Sequence, residues 1–202
     1  MIKKLLLTCG LIALSTGLGF AEIEIGKPAP NFTLPDTNGK AHSLADLKGK
    51  YVVLEWYQPD CPFVRKHYRS GNMQALQKEY TAKGVVWLSI DSSAPGEQGN
   101  YPADKLNKFA ARDGAARTAL LLDPAGNVGK LYGAQTTPDM YIVDPSGNVV
   151  YKGAIDNKRS TDLEDVKTAT NYVKSALDAL LSGKPVSTNS TRPYGCSVKY
   201  AS

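Results

Sequence analysis

Tyr51-Val-Val-Leu-Glu-Trp-Tyr57, then Gln58-Pro59-Asp60, then Cys61-Pro62-Phe63-Val64-Arg65 is the stretch that decides the fold. Its first seven residues are β-branched, aliphatic or aromatic with one acid among them, the composition of a strand buried on both faces. Gln58-Pro59-Asp60 ends that strand. From Pro62 to about Ala82, Val64, Tyr68, Met73, Leu76 and Tyr80 recur at helical intervals, which predicts one helix. Pro62 suits its first turn, where the missing N–H is no loss. Gly84 closes the segment, and Val85-Val-Trp-Leu-Ser-Ile90 reads as a second buried strand. Strand, helix, strand is a βαβ unit, and Cys61 sits at its first junction.

The pattern continues in both directions. Upstream, residues 22–50 are rich in Gly, Pro, Asn and Asp, and Asn38-Gly39 marks a hairpin turn. Ser43 reads as the cap of a short turn that Gly49 ends. Downstream, a polar loop over 91–103 leads to a helix from Asp104 to about Arg112, a short strand at Ala119–Leu122, and a short helix at Val128–Tyr132 closed by Gly133. Met140–Val143 and Val149–Lys152 flank Asp144-Pro-Ser-Gly-Asn148, a second hairpin signature. A last helix is expected from Asp162 to about Leu181, and the tail 183–202 holds Gly, Pro, Ser and Thr and ends Gly195-Cys-Ser-Val-Lys-Tyr200. The order predicts an α/β sandwich: a central mixed β-sheet flanked by helices, with an N-terminal β-hairpin extension.

The 202 residues suit one domain with extras. The N-terminus joins Lys3-Lys4 to an apolar run, Leu5–Leu14, and to small residues ending at Ala21, the make-up of a secretory signal peptide over 1–21. An uncleaved anchor and a lipoprotein modified at Cys9 are the alternatives. The expected division is therefore signal peptide 1–21, domain 22–182, and tail 183–202 carrying Cys196. Loss of Lys3 and Lys4 lowers the formal charge from +5 to +3. No Lys/Arg block points to nucleic acid, and no stable membrane insertion is expected once the leader is gone. The expected location is across the inner membrane, in the periplasm.

Of three cysteines, Cys61 and Cys196 outlast the leader. In an oxidising compartment they can form one disulfide. The two histidines, His42 and His67, form no cluster with ligand spacing, and there is no Gly-rich phosphate loop, so neither a metal nor a cofactor is expected. Cys61 stands at a helix start, where free N–H groups and the helix dipole favour a thiolate. Arg65 lies one turn on, and Lys66, His67 and Arg69 add charge nearby, so a lowered thiol pKa is expected. The plainer alternatives are an inert buried thiol for Cys61 and a solvated helix face for the basic run.

The opening GKPAPNFTLPDTNGKAHSLADLKGKYVVLEWY at 26–57, with CPFVRKHY at 61–68 and GCSVKY at 195–200, resembles the redoxin family, the alkyl hydroperoxide reductase and thiol-specific antioxidant group, in a peroxiredoxin-like branch. The resemblance runs from Gly26 to about Leu181 and implies a thioredoxin-like fold. It places Cys61 at the attacking position, Thr137-Pro138 in the cis-proline loop, and Glu55 where thioredoxins carry a buried, proton-moving acid; a surface-facing Glu55 is the alternative. Two positions depart from the pattern. Val64 replaces the second cysteine of Cys-x-x-Cys, and Leu54 and Gln58 replace the Pro and Thr that position peroxide.

Cys196 is then either a resolving cysteine or half of a permanent clasp. A bond between residues 61 and 196 closes a loop of about 135 residues and stabilises by roughly 4–5 kcal/mol in the chain-entropy view. The function expected from the resemblance is a thiol-dependent oxidoreductase, a peroxiredoxin-like antioxidant with peroxide as substrate and an external thioredoxin-like thiol as reductant. The alternatives are an exported thiol–disulfide oxidoreductase acting on protein disulfides, and a binding module stapled by Cys61–Cys196.

Overall fold

The computed structural model describes residues 23–201. The expected leader over 1–21, with Cys9, lies outside them. Among the described residues no helix is long and apolar enough to cross a membrane.

The deciding stretch forms the middle of the sheet. β1 (Thr33–Pro35) and β2 (Ala41–Ser43) make the N-terminal hairpin, and β3 (Val52–Trp56) follows. α1 (Pro62–Arg69) and α2 (Asn72–Ala82) lead to β4 (Val86–Asp91). Then come α3 (Ala103–Arg112), β5 (Ala119–Leu122), α4 (Asn127–Tyr132) and the two-residue β6 (Thr136–Thr137). β7 (Asp139–Val143), β8 (Val149–Gly153), α5 (Tyr172–Leu181) and the two-residue β9 (Cys196–Ser197) complete the chain. The central sheet has the order β5-β4-β3-β7-β8. β3 runs parallel to β4 and antiparallel to β7, so the sheet is mixed as expected.

All five residues of β3 are buried, because both faces of the sheet are covered. Val53 and Tyr57 pack with Val64 and Tyr68 of α1, Met73, Leu76 and Tyr80 of α2, and Val173 and Leu177 of α5. Val52, Leu54 and Trp56 face the other way, onto Phe32, Leu44 and the α4 residues Val128 and Tyr132. Each outer strand is capped as well, which removes open pairing edges. The hairpin reaches β5 through Thr37 N–H, which donates to Leu120 O at 3.0 Å. The tail runs beside β8, where Lys152 N donates to Asn189 O and Thr191 N to Lys152 O.

Three local expectations are corrected. The helix over 62–82 is two helices, broken at Ser70-Gly71; Gly71 has φ +77°, a left-handed conformation that favours glycine. The helix over 162–181 is a 3-10 turn at Glu164–Lys167 followed by α5, which starts where the Asn171 side chain accepts from Lys174 N at 2.9 Å. The hairpin expected at Asn38-Gly39 is present: Pro35 pairs with Ala41, and the Asp36 carboxylate holds the connection by accepting from Asn38 N and Lys40 N. Ser43 makes no side-chain cap at its turn; Asn31 Oδ1 accepts from Ala45 N instead.

Candidate active site

β3 ends at Trp56, and Gln58-Pro59-Asp60 turns the chain into α1. Cys61 is the N-cap residue, and its carbonyl accepts from Arg65 N at 2.8 Å. The turn is braced on both sides. Gln58 Oε1 accepts from Asp60 N at 2.6 Å, Gln58 Nε2 donates to Gln98 O, and Tyr101 Oη donates to Asp60 Oδ2 at 2.6 Å. Cys61 is 1% exposed. Its side chain makes no cap bond to the first turn of α1; the thiol donates to the carbonyl of Thr137 at 3.0 Å.

Thr137-Pro138 is cis, as the resemblance implied. Thr137 belongs to β6, whose antiparallel partner is β9, and the register sets Thr137 opposite Cys196. Both cysteines are free thiols, and Cys61 is an electrostatic neighbour of the Cys196 thiol. Partial burial and that neighbour push the Cys196 thiol up to about 12. Two thiols far apart in sequence thus meet over one carbonyl.

Gly195 makes the meeting possible. Its φ is +149°, and a Cβ there would stand 2.0 Å from Thr137 O and 2.7 Å from Thr137 C. Only glycine lets the tail come this close to the cis-proline loop. On one side of it, Tyr194 is buried, packs its ring edge-on against Phe63 at 5.9 Å, and donates its hydroxyl to Asp156. On the other side, Val198 N donates to Gln135 O, Ala94 N donates to Lys199 O, and Tyr200 Oη donates to Ala134 O. The Tyr200 ring lies on Gly126 and Gly129, where a Cβ would overlap it. Tail composition alone points to none of these anchors. The available signal is a tyrosine on each side of Gly195-Cys196 in an otherwise polar segment.

The basic run after Cys61 does not converge on the thiol. Arg65 is half-exposed; its Nε donates to Pro59 O at 3.0 Å and its Nη2 pairs with Asp60 at 2.9 Å. Lys66 and His67 are buried, so a solvated face fails for both. Lys66 Nζ donates to Lys158 O at 2.7 Å and faces Asp156 at 3.8 Å. Burial pulls His67 down to about 4, so it is neutral near pH 7. Arg69 is exposed, as a solvated face requires. A cluster of cations around Cys61 is therefore corrected to one ion pair with Asp60 and one buried group that anchors the tail.

Glu55 is fully buried, which excludes the surface-facing alternative. Its carboxylate accepts from Tyr68 Oη at 3.0 Å, Trp87 Nε1 at 2.8 Å, Ser89 Oγ at 2.8 Å and Gln77 Nε2 at 3.3 Å. None of these donors is a cysteine. Leu54 is buried on the opposite face, and Val64 packs in the same core as Cys61. Among the described residues no group of His, Cys, Asp and Glu is placed to hold a metal.

A cavity of about 700 Å³ is lined by Tyr132, Asp139, Tyr141, Lys130 and Lys152 with Arg192 of the tail. Asp139, which follows Pro138, is raised to about 7 by burial despite hydrogen bonds from Gln135, Thr136 and Met140.

Comparison with known proteins agrees with the fold. The AhpC/TSA family pattern matches residues 25–152. A protein named thiol-disulfide oxidoreductase ResA, from Bacillus thuringiensis subsp. konkukian, is 29% identical over 150 residues, 72% of this chain and 81% of its own length. An uncharacterized conserved protein of Geobacillus kaustophilus superposes with a TM-score of 0.74 at 30% identity, covering 89% of this chain and 93% of that one. A putative thiol:disulfide interchange protein DsbE from Chlorobium tepidum superposes with a TM-score of 0.56 at 26% identity, covering 73% and 95%. The fold is thioredoxin-like.

Proposed function

Because the chain belongs to the AhpC/TSA family, we propose that it is a thiol–disulfide oxidoreductase whose redox couple is Cys61 with Cys196. The observation that carries the reading is the meeting of these two free thiols over the Thr137 carbonyl. With Val64 at the adjacent-cysteine position, Cys196 is the thiol within reach of Cys61. The reduced pair gives two electrons to a substrate disulfide and closes as Cys61–Cys196; an external thiol reopens it. The relative named for disulfide exchange supports this substrate class over peroxide. So does the local chemistry: at the two peroxide-positioning places Leu54 is core and Gln58 braces the turn.

In this reading Thr137-Pro138 positions both sulfurs, and Arg65 and Glu55 hold the frame. The basic-then-apolar leader supports export to an oxidising compartment, where such a couple needs its own reductant. Mild oxidation followed by peptide mapping tests the pairing. The expected product is a single peptide pair joined through Cys61 and Cys196. Dimers linked between chains, or Cys61 carried on to a sulfinic acid with Cys196 still free, would refute it.

A further inference from the structure

We propose that an external thiol enters the oxidised couple at the sulfur of Cys196 rather than at Cys61. This rests on the reading of the two cysteines as a redox couple. Exchange needs a thiolate to reach one sulfur of the disulfide, so access selects the sulfur. Cys61 is 1% exposed even with both thiols free. Above it lies the tail, with Gly195 pressed on the same Thr137 carbonyl that accepts from the Cys61 thiol. That cover is fixed on both sides, by Tyr194 on Phe63 and Asp156 and by Tyr200 on Ala134 and α4. Cys196 is only half-buried, and Ser197 after it is exposed.

Edge pairing points the same way. β6 is two residues long and already carries β9 as its partner. An extended polypeptide cannot add to Thr136-Thr137 while the tail is docked. The entering partner is therefore a small, unstranded thiol that needs only one exposed sulfur.

The step balances as follows. A thiolate R–S⁻ bonds to the Cys196 sulfur, the Cys61–Cys196 bond breaks, and Cys61 departs with the electron pair and takes up a proton. A second R–S⁻ attacks the sulfur of the bound R group. It releases R–S–S–R and the Cys196 thiolate, which is protonated in turn. Two small thiols are oxidised to one disulfide, and the couple is reduced.

Glutathione serves as the probe. The full chain is oxidised, its linked peptide is verified, and it is mixed with excess glutathione; the mixture is acid-quenched within seconds and the adduct is mapped by peptide mass. The expected result is at least about tenfold more adduct on Cys196 than on Cys61. Equal labelling, or an excess on Cys61, overturns this inference and leaves the couple intact. Absence of the linked peptide before glutathione is added overturns the couple and this inference together.

Discussion

Glu55→Ala is expected to lower the unfolding free energy by about 3–5 kcal/mol, the range found when one partner of a buried charged network is removed. The carboxylate is the common acceptor for Tyr68, Gln77, Trp87 and Ser89. Arg117 lies beside the same group, with its guanidinium on the Tyr57 ring at 4.4 Å. Truncation takes the acceptor from the buried donors of Tyr68, Trp87 and Ser89 and leaves Gln77 Nε2 with Tyr68 Oη alone, and each unsatisfied group costs about 1–3 kcal/mol. Glu55→Gln keeps an acceptor oxygen and the volume but turns an amide N–H toward donors, so a smaller loss is expected. Urea unfolding measures both variants. A loss below about 1 kcal/mol for Glu55→Ala would show that the network does not depend on this carboxylate.

Gly195→Ala is expected to undock the tail and slow closure of the Cys61–Cys196 bond by roughly 10- to 100-fold, because the effective concentration of Cys196 at Cys61 then falls to that of a loose tether. The added Cβ would stand 2.0 Å from Thr137 O, a backbone atom that cannot swing aside. The φ of +149° also lies where residues other than glycine are strained. The central sheet and its helices use other contacts, so the far-UV spectrum should stay unchanged. Oxidation is followed by quenched alkylation of free thiols. A closure rate within twofold of the natural chain would mean that the docked tail is not what aligns the couple.

How much of this was legible in the sequence depends on whether a local pattern or a distant contact decides each element. β3 and β4 are legible because a strand buried on both faces must be apolar throughout, and 51–57 and 85–90 are. Cys61 at the start of α1 follows from strand, breaker and proline in order. The cis form of Thr137-Pro138 came from family resemblance, since nothing in the dipeptide itself dictates it. The division at Ser70-Gly71 was hidden because Met73, Leu76 and Tyr80 continue a helical rhythm across it.

Charge was misjudged for a related reason. Nearness in sequence set Arg65, Lys66 and His67 beside the thiol, but on a helix they project in different directions. Arg65 turns back to Asp60, while Lys66 and His67 point inward to Asp156, a residue ninety positions away. The tail was least legible of all. Its docking depends on Tyr194, Gly195 and Tyr200 meeting partners spread from Phe63 to Asp156, and a segment without periodicity carries no sign of that.

The reduction potential of the Cys61–Cys196 couple, read by equilibrating the chain with glutathione and dithiothreitol buffers, tests the central claim most directly. An exchanging couple is expected above about −300 mV, within the roughly −270 to −120 mV spanned by thiol–disulfide oxidoreductases. A value well below about −300 mV would mark the bond as a permanent clasp and contradict the account.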